Sequence, residues 1–263
     1  MIPEAIRQDI LSRLRSAEEE HGVRVLFAIE SGSRAWGFAS PNSDYDARFI
    51  YVHPKDWYLS IGLEEQRDVI EYPIIDEIDI NGWDLRKALR LFWKSNPGYV
   101  EWIQSPIVYV SRGDLLNESR QRLPEIYSCT NGFYHYYSMA SKTFKAHLQT
   151  DQVSLKKYFY VLRPLLAARW VARKQEAAPI EFQRLMSVLD DAPEVVSAIE
   201  ELLVIKQASP ESGRSTPIPV IQNFIQDELD KLESIKPHAP ERTGNVLTKL
   251  DALFTQTLEA AWA

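Results

Sequence analysis

The sequence predicts a mixed α/β (α+β) chain: a short mixed β-sheet flanked by helices, followed by a mostly helical unit. Three observations predict it. Two apolar runs, Val23 to Glu30 and Asp44 to Val52, read as strands on either side of a Gly-Ser turn. Further short extended segments follow up to about residue 110. Beyond that point the apolar residues recur at helical spacing. The expected division is a catalytic unit over 1–110 and a helical unit over 111–263, with 83–110 able to belong to either.

Residues 4–20 form the first expected helix, because Ile6, Ile10, Leu11, Leu14 and Ala17 recur on one face. His21-Gly22 ends it. The strand Val23 to Glu30 leads into Ser31-Gly32-Ser33-Arg34 and a short helix through Ala35 and Trp36. After the loop 39–43, Asp44 to Val52 alternates in period two. Residues 54–67 read as a helix or lid. Val69–Glu71 and Ile74–Ile80 read as further strands, and Gly82 breaks the pattern. From Trp83 the period turns helical through Leu85, Ala88, Leu89 and Phe92, ending near Asn96-Pro97-Gly98. A short helix over Tyr99–Gln104 and an extended segment at 106–109 complete the first unit. Helices are expected near 112–123, 130–149, 153–174, 180–191, 192–208, 217–235 and 244–260. Segment 208–219, rich in Pro, Ser and Gly, reads as a mobile loop.

Composition narrows the function. The 263 residues are 45% hydrophobic and 25% charged, as in ordinary globular domains. The net charge of -7 argues against extensive binding along a nucleic-acid backbone but leaves room for a local basic groove. Cys129 is the single cysteine, so no intrachain disulfide forms, and no Cys/His pattern suggests zinc. The N-terminus lacks the apolar stretch of a signal peptide, and no run is long enough to span a bilayer. A cytoplasmic protein with no membrane association is the expectation. The sequence leaves oligomeric state open.

The chemistry concentrates between Gly32 and Asp46. Gly32 permits a tight strand-to-helix turn with close backbone approach to a ligand. Ser33 can offer its hydroxyl and N–H to phosphate oxygens. Asp44 and Asp46 are two apart, so strand geometry puts both carboxylates on one face. Paired carboxylates are costly without a cation, and Mg2+ (or Mn2+) suits them together with substrate phosphates. Asp-x-Asp alone is mostly a solvated turn, and Gly-Ser alone is weaker; the two together between apolar strands favour catalysis. No Gly-Lys-Ser/Thr P-loop or Gly-x-Gly-x-x-Gly fingerprint is present.

Gly32-Ser33-Arg34-Ala35-Trp36-Gly37 with Ser43-Asp44-Tyr45-Asp46 resembles the nucleotidyltransferase motif of the DNA polymerase beta superfamily. More narrowly, the stretches Ile80 to Leu89, Lys94 to Pro97, Glu101-Trp102, Ser105 to Tyr109, Lys156-Lys157-Tyr158 and Arg163 to Leu166 resemble a predicted nucleotidyltransferase family associated with RNA repair. The resemblance spans roughly 23–175. It implies a nucleotidyltransferase fold, a Gly-Ser turn that holds nucleotide phosphates, and two metals bound by the acid pair plus a third acid on a neighbouring strand.

Candidates for that third acid are Glu71, Asp76, Glu77 and Asp79. Asp79, between Ile78 and Ile80, is preferred; Glu77 is the alternative. The expected catalytic and metal-binding residues are therefore Asp44, Asp46 and Asp79. Gly32, Ser33 and Arg34 are expected at the nucleotide phosphates. Lys156, Lys157 and Arg163, with Tyr160 between them, are expected to bind the triphosphate from the helical unit, against the alternative of a solvated face. Arg48 shares the face of the acid pair and either approaches substrate or pairs with the acids. Asp84 is a helix cap or a site residue. Lys94 to Asn96 end a helix, and the aromatic run Tyr134 to Tyr137 reads chiefly as core. His147 and His238 show no ligand spacing.

The function expected is transfer of a nucleoside monophosphate from a nucleoside triphosphate to an acceptor hydroxyl, with pyrophosphate release. The acceptor is an RNA end, or a protein side chain in an adenylyltransferase. A nucleotide-binding, antitoxin-like partner protein is the non-catalytic alternative, and it would require a degenerate acid pair.

Overall fold

In the computed structural model, residues 2–208, 214–235 and 245–263 are described. Part of the loop expected at 208–219, the start of the last helix, and His238 lie outside them. The first unit begins with helix α1 (Glu4–His21), ended by Gly22 in the left-handed region at φ 62°. Strand β1 (Arg24–Glu30) follows, then α2 (Gly32–Trp36), β2 (Tyr45–Val52), α3 (Lys55–Tyr58), β3 (Val69–Glu71) and β4 (Ile78–Asp84). Next come α4 (Leu85–Trp93), α5 (Pro97–Gln104) and β5 (Val108–Ser111). The strands form one mixed sheet in the order β3-β4-β2-β1-β5. Only the β2–β4 pair is parallel.

Three expectations need correction here. The strand expected at 74–80 starts at Ile78, because Asp76 and Glu77 take left-handed φ values of 52° and 62° and close a tight turn from Ile75 to Ile78. The strand then runs through Gly82, which does not break it. A Cβ at Gly82 would overlap the ring of Phe49 on β2, so the missing side chain is what lets that aromatic pack across the parallel pair. The helix or lid expected at 54–67 reduces to α3 and a single 3₁₀ turn over Leu63–Glu65.

The helical unit contains α6 (Leu115–Ile126), α7 (Cys129–His147), α8 (Leu155–Lys174), α9 (Phe182–Leu185), α10 (Pro193–Ala208), α11 (Pro219–Glu233) and α12 (Val246–Trp262). The helix expected over 180–191 is short α9 plus a 3₁₀ turn at Met186–Val188. A two-stranded ribbon pairs β6 (Val153–Ser154) with β7 (Arg214–Ser215). Two apolar cores flank the sheet. The smaller packs Ile10, Leu14 and Ala17 of α1 against Val25, Ala28, Ala47, Phe49, Ile78 and Ile80. The larger runs from Leu26, Ile29, Ile50 and Val52 through α4 and α5 into α7, α8, α11 and α12, without interruption at residue 110. Among the described residues no helix is long and apolar enough to cross a membrane.

Candidate active site

The turn after β1 is built around a close approach. Ser31 N–H donates to the Asp46 carbonyl at 2.8 Å, tying the turn to β2. Gly32 sits at φ 59°, and a Cβ there would overlap Asp46 Oδ2. Glycine is therefore required twice, by the backbone angle and by the carboxylate packed against it. Arg34 braces the same turn. Its Nη2 donates to the Ser43 carbonyl at 2.6 Å and its Nε to the Asp44 carbonyl at 3.1 Å, while the guanidinium lies 3.9 Å from the Tyr45 ring centroid. Arg34 is thus held by protein groups of the turn and of the loop before β2.

Asp44 immediately precedes β2 and Asp46 lies within it. Asp79 stands directly opposite Asp46 in the parallel register with β4. Between the two carboxylates lies Arg48: its Nη2 is 2.7 Å from Asp79 Oδ2 and 3.1 Å from Asp46 Oδ1. Its Nη1 donates to the carbonyls of Asp79 and Ala47 at 2.8 and 3.1 Å. The other Asp79 oxygen accepts from Asn81 Nδ2 at 2.6 Å. Both Asp79 oxygens are therefore engaged, whereas Asp46 Oδ2 faces the Gly32 turn. Glu77, the alternative third acid, is exposed in the turn before β4, where its carbonyl accepts from Tyr45 N–H. Asp76 pairs with Arg13 and Glu71 with Arg67, both away from the acid pair.

Burial raises the Asp46 carboxyl above its ordinary range; Arg48 opposes the shift, and Asp79 and Asp44 add to it. Beneath it lies a residue the sequence reading passed over. Glu30 is fully buried; its Oε1 accepts from the Asp46 N–H at 3.1 Å and its Oε2 from the Tyr109 hydroxyl at 2.5 Å. Burial pushes its carboxyl up to about 7, the Tyr109 bond opposing that shift. Glu30 was hidden in the sequence because it ends an apolar strand and reads as its polar terminus.

Ser33, Phe38, Asp44, Asp46, Lys156, Tyr160 and Lys206 line one small pocket of about 70 Å³. Of the cations expected from α8, Lys156 reaches it, with its ammonium 5.8 Å from the Tyr160 ring centroid. Lys157 has its ammonium 5.4 Å from the same centroid and is not in the lining. Arg163 is not in the pocket. It is 5% exposed, its Nη1 is 2.7 Å from Glu101 Oε1, and its guanidinium covers the Trp36 ring at 4.2 Å. One helical turn separates Tyr160 from Arg163, and that turn carries the chain from the pocket wall into the core. Lys206 is the cation the sequence could not offer: it comes from α10, and its Nζ donates to Ser40 Oγ at 3.0 Å across 166 residues of chain.

Among the described residues, no three His, Cys, Asp or Glu side chains converge as a ready metal cage. Arg48 is the physical reason at Asp79. The Asp44–Asp46 pair fits a hard divalent ion better, since burial and the neighbouring carboxylates disfavour the charge of Asp46 and an Mg2+ ion needs only one or two carboxylates beside phosphate and water.

Residues 6–256 match the profile of the RNA repair pathway DNA polymerase beta family. The chain belongs to that family. A relative within reach is the uncharacterized protein YcgL of Bacillus subtilis (strain 168), 42% identical over 257 residues and covering 98% of each chain. A nucleotidyltransferase-like protein from Exiguobacterium sibiricum 255-15 is 13% identical, with a TM-score of 0.36 over 92% of this chain and 87% of that one. That likeness is too loose to bear on the site. Family membership makes the protein nucleotidyltransferase-like, and the family extends beyond the span 23–175 that carried the resemblance.

Proposed function

We propose that this protein transfers a nucleoside monophosphate from a nucleoside triphosphate to an acceptor hydroxyl, releasing pyrophosphate. The observation that carries the reading is the shared pocket of Asp44, Asp46, Ser33 and Lys156 beside the Gly32 turn. Its size suits a phosphate group and not a whole nucleotide, because pockets that enclose drug-sized ligands start near ~300 Å³. The nucleoside therefore extends outward while Ser33 and Lys156 hold phosphate oxygens. Asp44 and Asp46 would hold Mg2+ or Mn2+, which when bound stabilises charge at the reacting phosphate. The acceptor oxygen forms a bond to the α-phosphorus, the bond to the bridging oxygen breaks in line, and pyrophosphate leaves. The acceptor proton passes to a carboxylate of the site; Asp79, the third acid in register, would take it on exchanging its bond to Arg48. Lys206 and Lys156 offset the phosphate charge from the helical side. An RNA end is the favoured acceptor, supported by the family's RNA repair description.

The test is incubation with each α-labelled triphosphate, Mg2+ or Mn2+, and RNA bearing a free 3′ hydroxyl. Pyrophosphate and labelled RNA are expected from the wild type and neither from Asp44→Ala/Asp46→Ala. Label on protein instead of RNA would make it a protein adenylyltransferase. Equal triphosphate binding by both proteins, with no pyrophosphate from either, would leave a nucleotide-binding partner protein and end the transferase reading.

A further inference from the structure

A concavity of about 800 Å³ lies apart from the acid-pair pocket. It is a shallow trough along the outer face of α7, closed at one side by Lys94 after α4. Lys94, Lys142 and Lys145 line it together with Tyr134, His135 and Tyr137, and no carboxylate is in the lining. Tyr134 is 49% exposed. The three lysines are exposed, and none of their ammonium groups makes an ion pair or hydrogen bond among the described residues. Acidic charge acts at two edges: Glu233 and Asp230 of α11 influence Tyr137, and Lys94 also lines a neighbouring groove with Glu64, Asp68 and Asp84. On a chain of net charge -7, three unpaired cations in one trough are a concentrated local exception.

The helix explains the arrangement. Tyr136 and Phe133 turn into the core, Tyr134 stands on the outer face of α7, and Tyr137, stacked on Phe133, is half-buried at the border between them. Tyr134, Ser138 and Lys142 follow one another at four-residue steps, and Lys145 extends the row by another turn. From 134 to 145 the row runs about 16 Å at the helical rise. An exposed ring with a half-buried one beside it, followed by cations in a lining without acids, matches a flexible polyanion that also carries planar groups.

We propose that this trough binds single-stranded nucleic acid without base preference: bases stack on Tyr134 and Tyr137, and phosphates meet Lys94, Lys142 and Lys145. The trough lies on the helix packed along α8, whose Lys156 and Tyr160 line the candidate active site. It is thus a second site on the same helical hairpin, and it stands whether or not the transferase reading does.

Fluorescence anisotropy with a labelled mixed-sequence 12-nucleotide RNA, in EDTA and without triphosphate, tests it. The full chain is compared with Lys142→Glu/Lys145→Glu and with Tyr134→Ala, each checked for an unchanged melting temperature. The charge reversal is expected to weaken binding at least tenfold at low salt and to lower the log–log salt slope by about 1 to 1.5. Tyr134→Ala is expected to weaken binding severalfold with the slope unchanged. Unchanged affinity in the charge reversal overturns the proposal. So does poly-glutamate competing as well as RNA while Tyr134→Ala has no effect, which would mark an acidic protein partner. Oligonucleotide binding without pyrophosphate release under any condition would keep this site and end the transferase reading. Pyrophosphate release with RNA affinity indifferent to these substitutions would do the reverse.

Discussion

Arg48 is the residue on which the acid cluster turns. Two carboxylates in parallel register on adjacent strands repel, and its guanidinium joins them while two backbone carbonyls fix its plane. Four bonds make it a built-in counter-ion in the place where an acid-bound cation would otherwise sit. Arg48→Ala is therefore expected to lower the melting temperature in EDTA and to increase the rise produced by Mn2+, relative to wild type. Thermal melts with and without Mn2+ check this. An unchanged Mn2+ increment would mean that Arg48 does not compete with metal. Arg34 shows another case: adjacency to Ser33 suggested a phosphate contact, and Nε and one Nη2 donor go to the carbonyls of Asp44 and Ser43.

At the scale of elements, Asp84 ties the β4–α4 junction together. Asp84 ends β4, caps α4 by accepting from Arg86 N–H at 2.8 Å, and accepts from the Tyr58 hydroxyl at 2.6 Å. Burial raises its carboxyl from 3.8 to about 6, the Tyr58 and backbone bonds opposing the shift. A raised native value means the folded state holds the proton more tightly. The stability it confers is complete below 3.8 and is lost as pH rises through about 6. Asp84→Asn keeps a capping side chain and cannot titrate. Across pH 4 to 7 its stability is expected to gain on the wild type by up to about 3 kcal/mol, whatever the starting offset. Urea unfolding at several pH values measures that slope, and parallel curves would refute it. Gly82 belongs to the same element: Gly82→Ala forces the Phe49 ring to shift and is expected to cost about 1–3 kcal/mol, read as a lower urea midpoint.

At the scale of the whole molecule, Arg163 joins parts that the sequence keeps far apart. It pairs with Glu101 of α5, Glu101 accepts from the Tyr136 hydroxyl of α7 at 3.1 Å, and the guanidinium covers Trp36 of α2. Breaking such a buried pair costs about 3–5 kcal/mol because an uncompensated charge remains. Arg163→Ala is accordingly expected to unfold at lower denaturant, with any surviving activity showing the wild-type KM for triphosphate. A raised KM at unchanged stability would return Arg163 to the nucleotide. Lys206 makes the complementary connection, from α10 to the loop that precedes Asp44.

The sequence alone determined the features that depend on local chain geometry. A continuous apolar run, period-two alternation and the Gly-Ser turn between them fixed β1, β2 and the placement of Asp44 and Asp46. Helical spacing fixed most of the second unit, because a buried face must repeat with the pitch of its helix. The turn at Asp76-Glu77 escaped because non-glycine residues in left-handed backbone leave little trace in composition. Only the tertiary structure decided which charges share a space. It set Asp79 opposite Asp46 with Arg48 between them, brought Lys206 into the pocket from a distant helix, and turned Arg163 inward while Lys156 stayed at the site. Charge pairing depends on distances across the fold, and spacing along the chain carries no record of them.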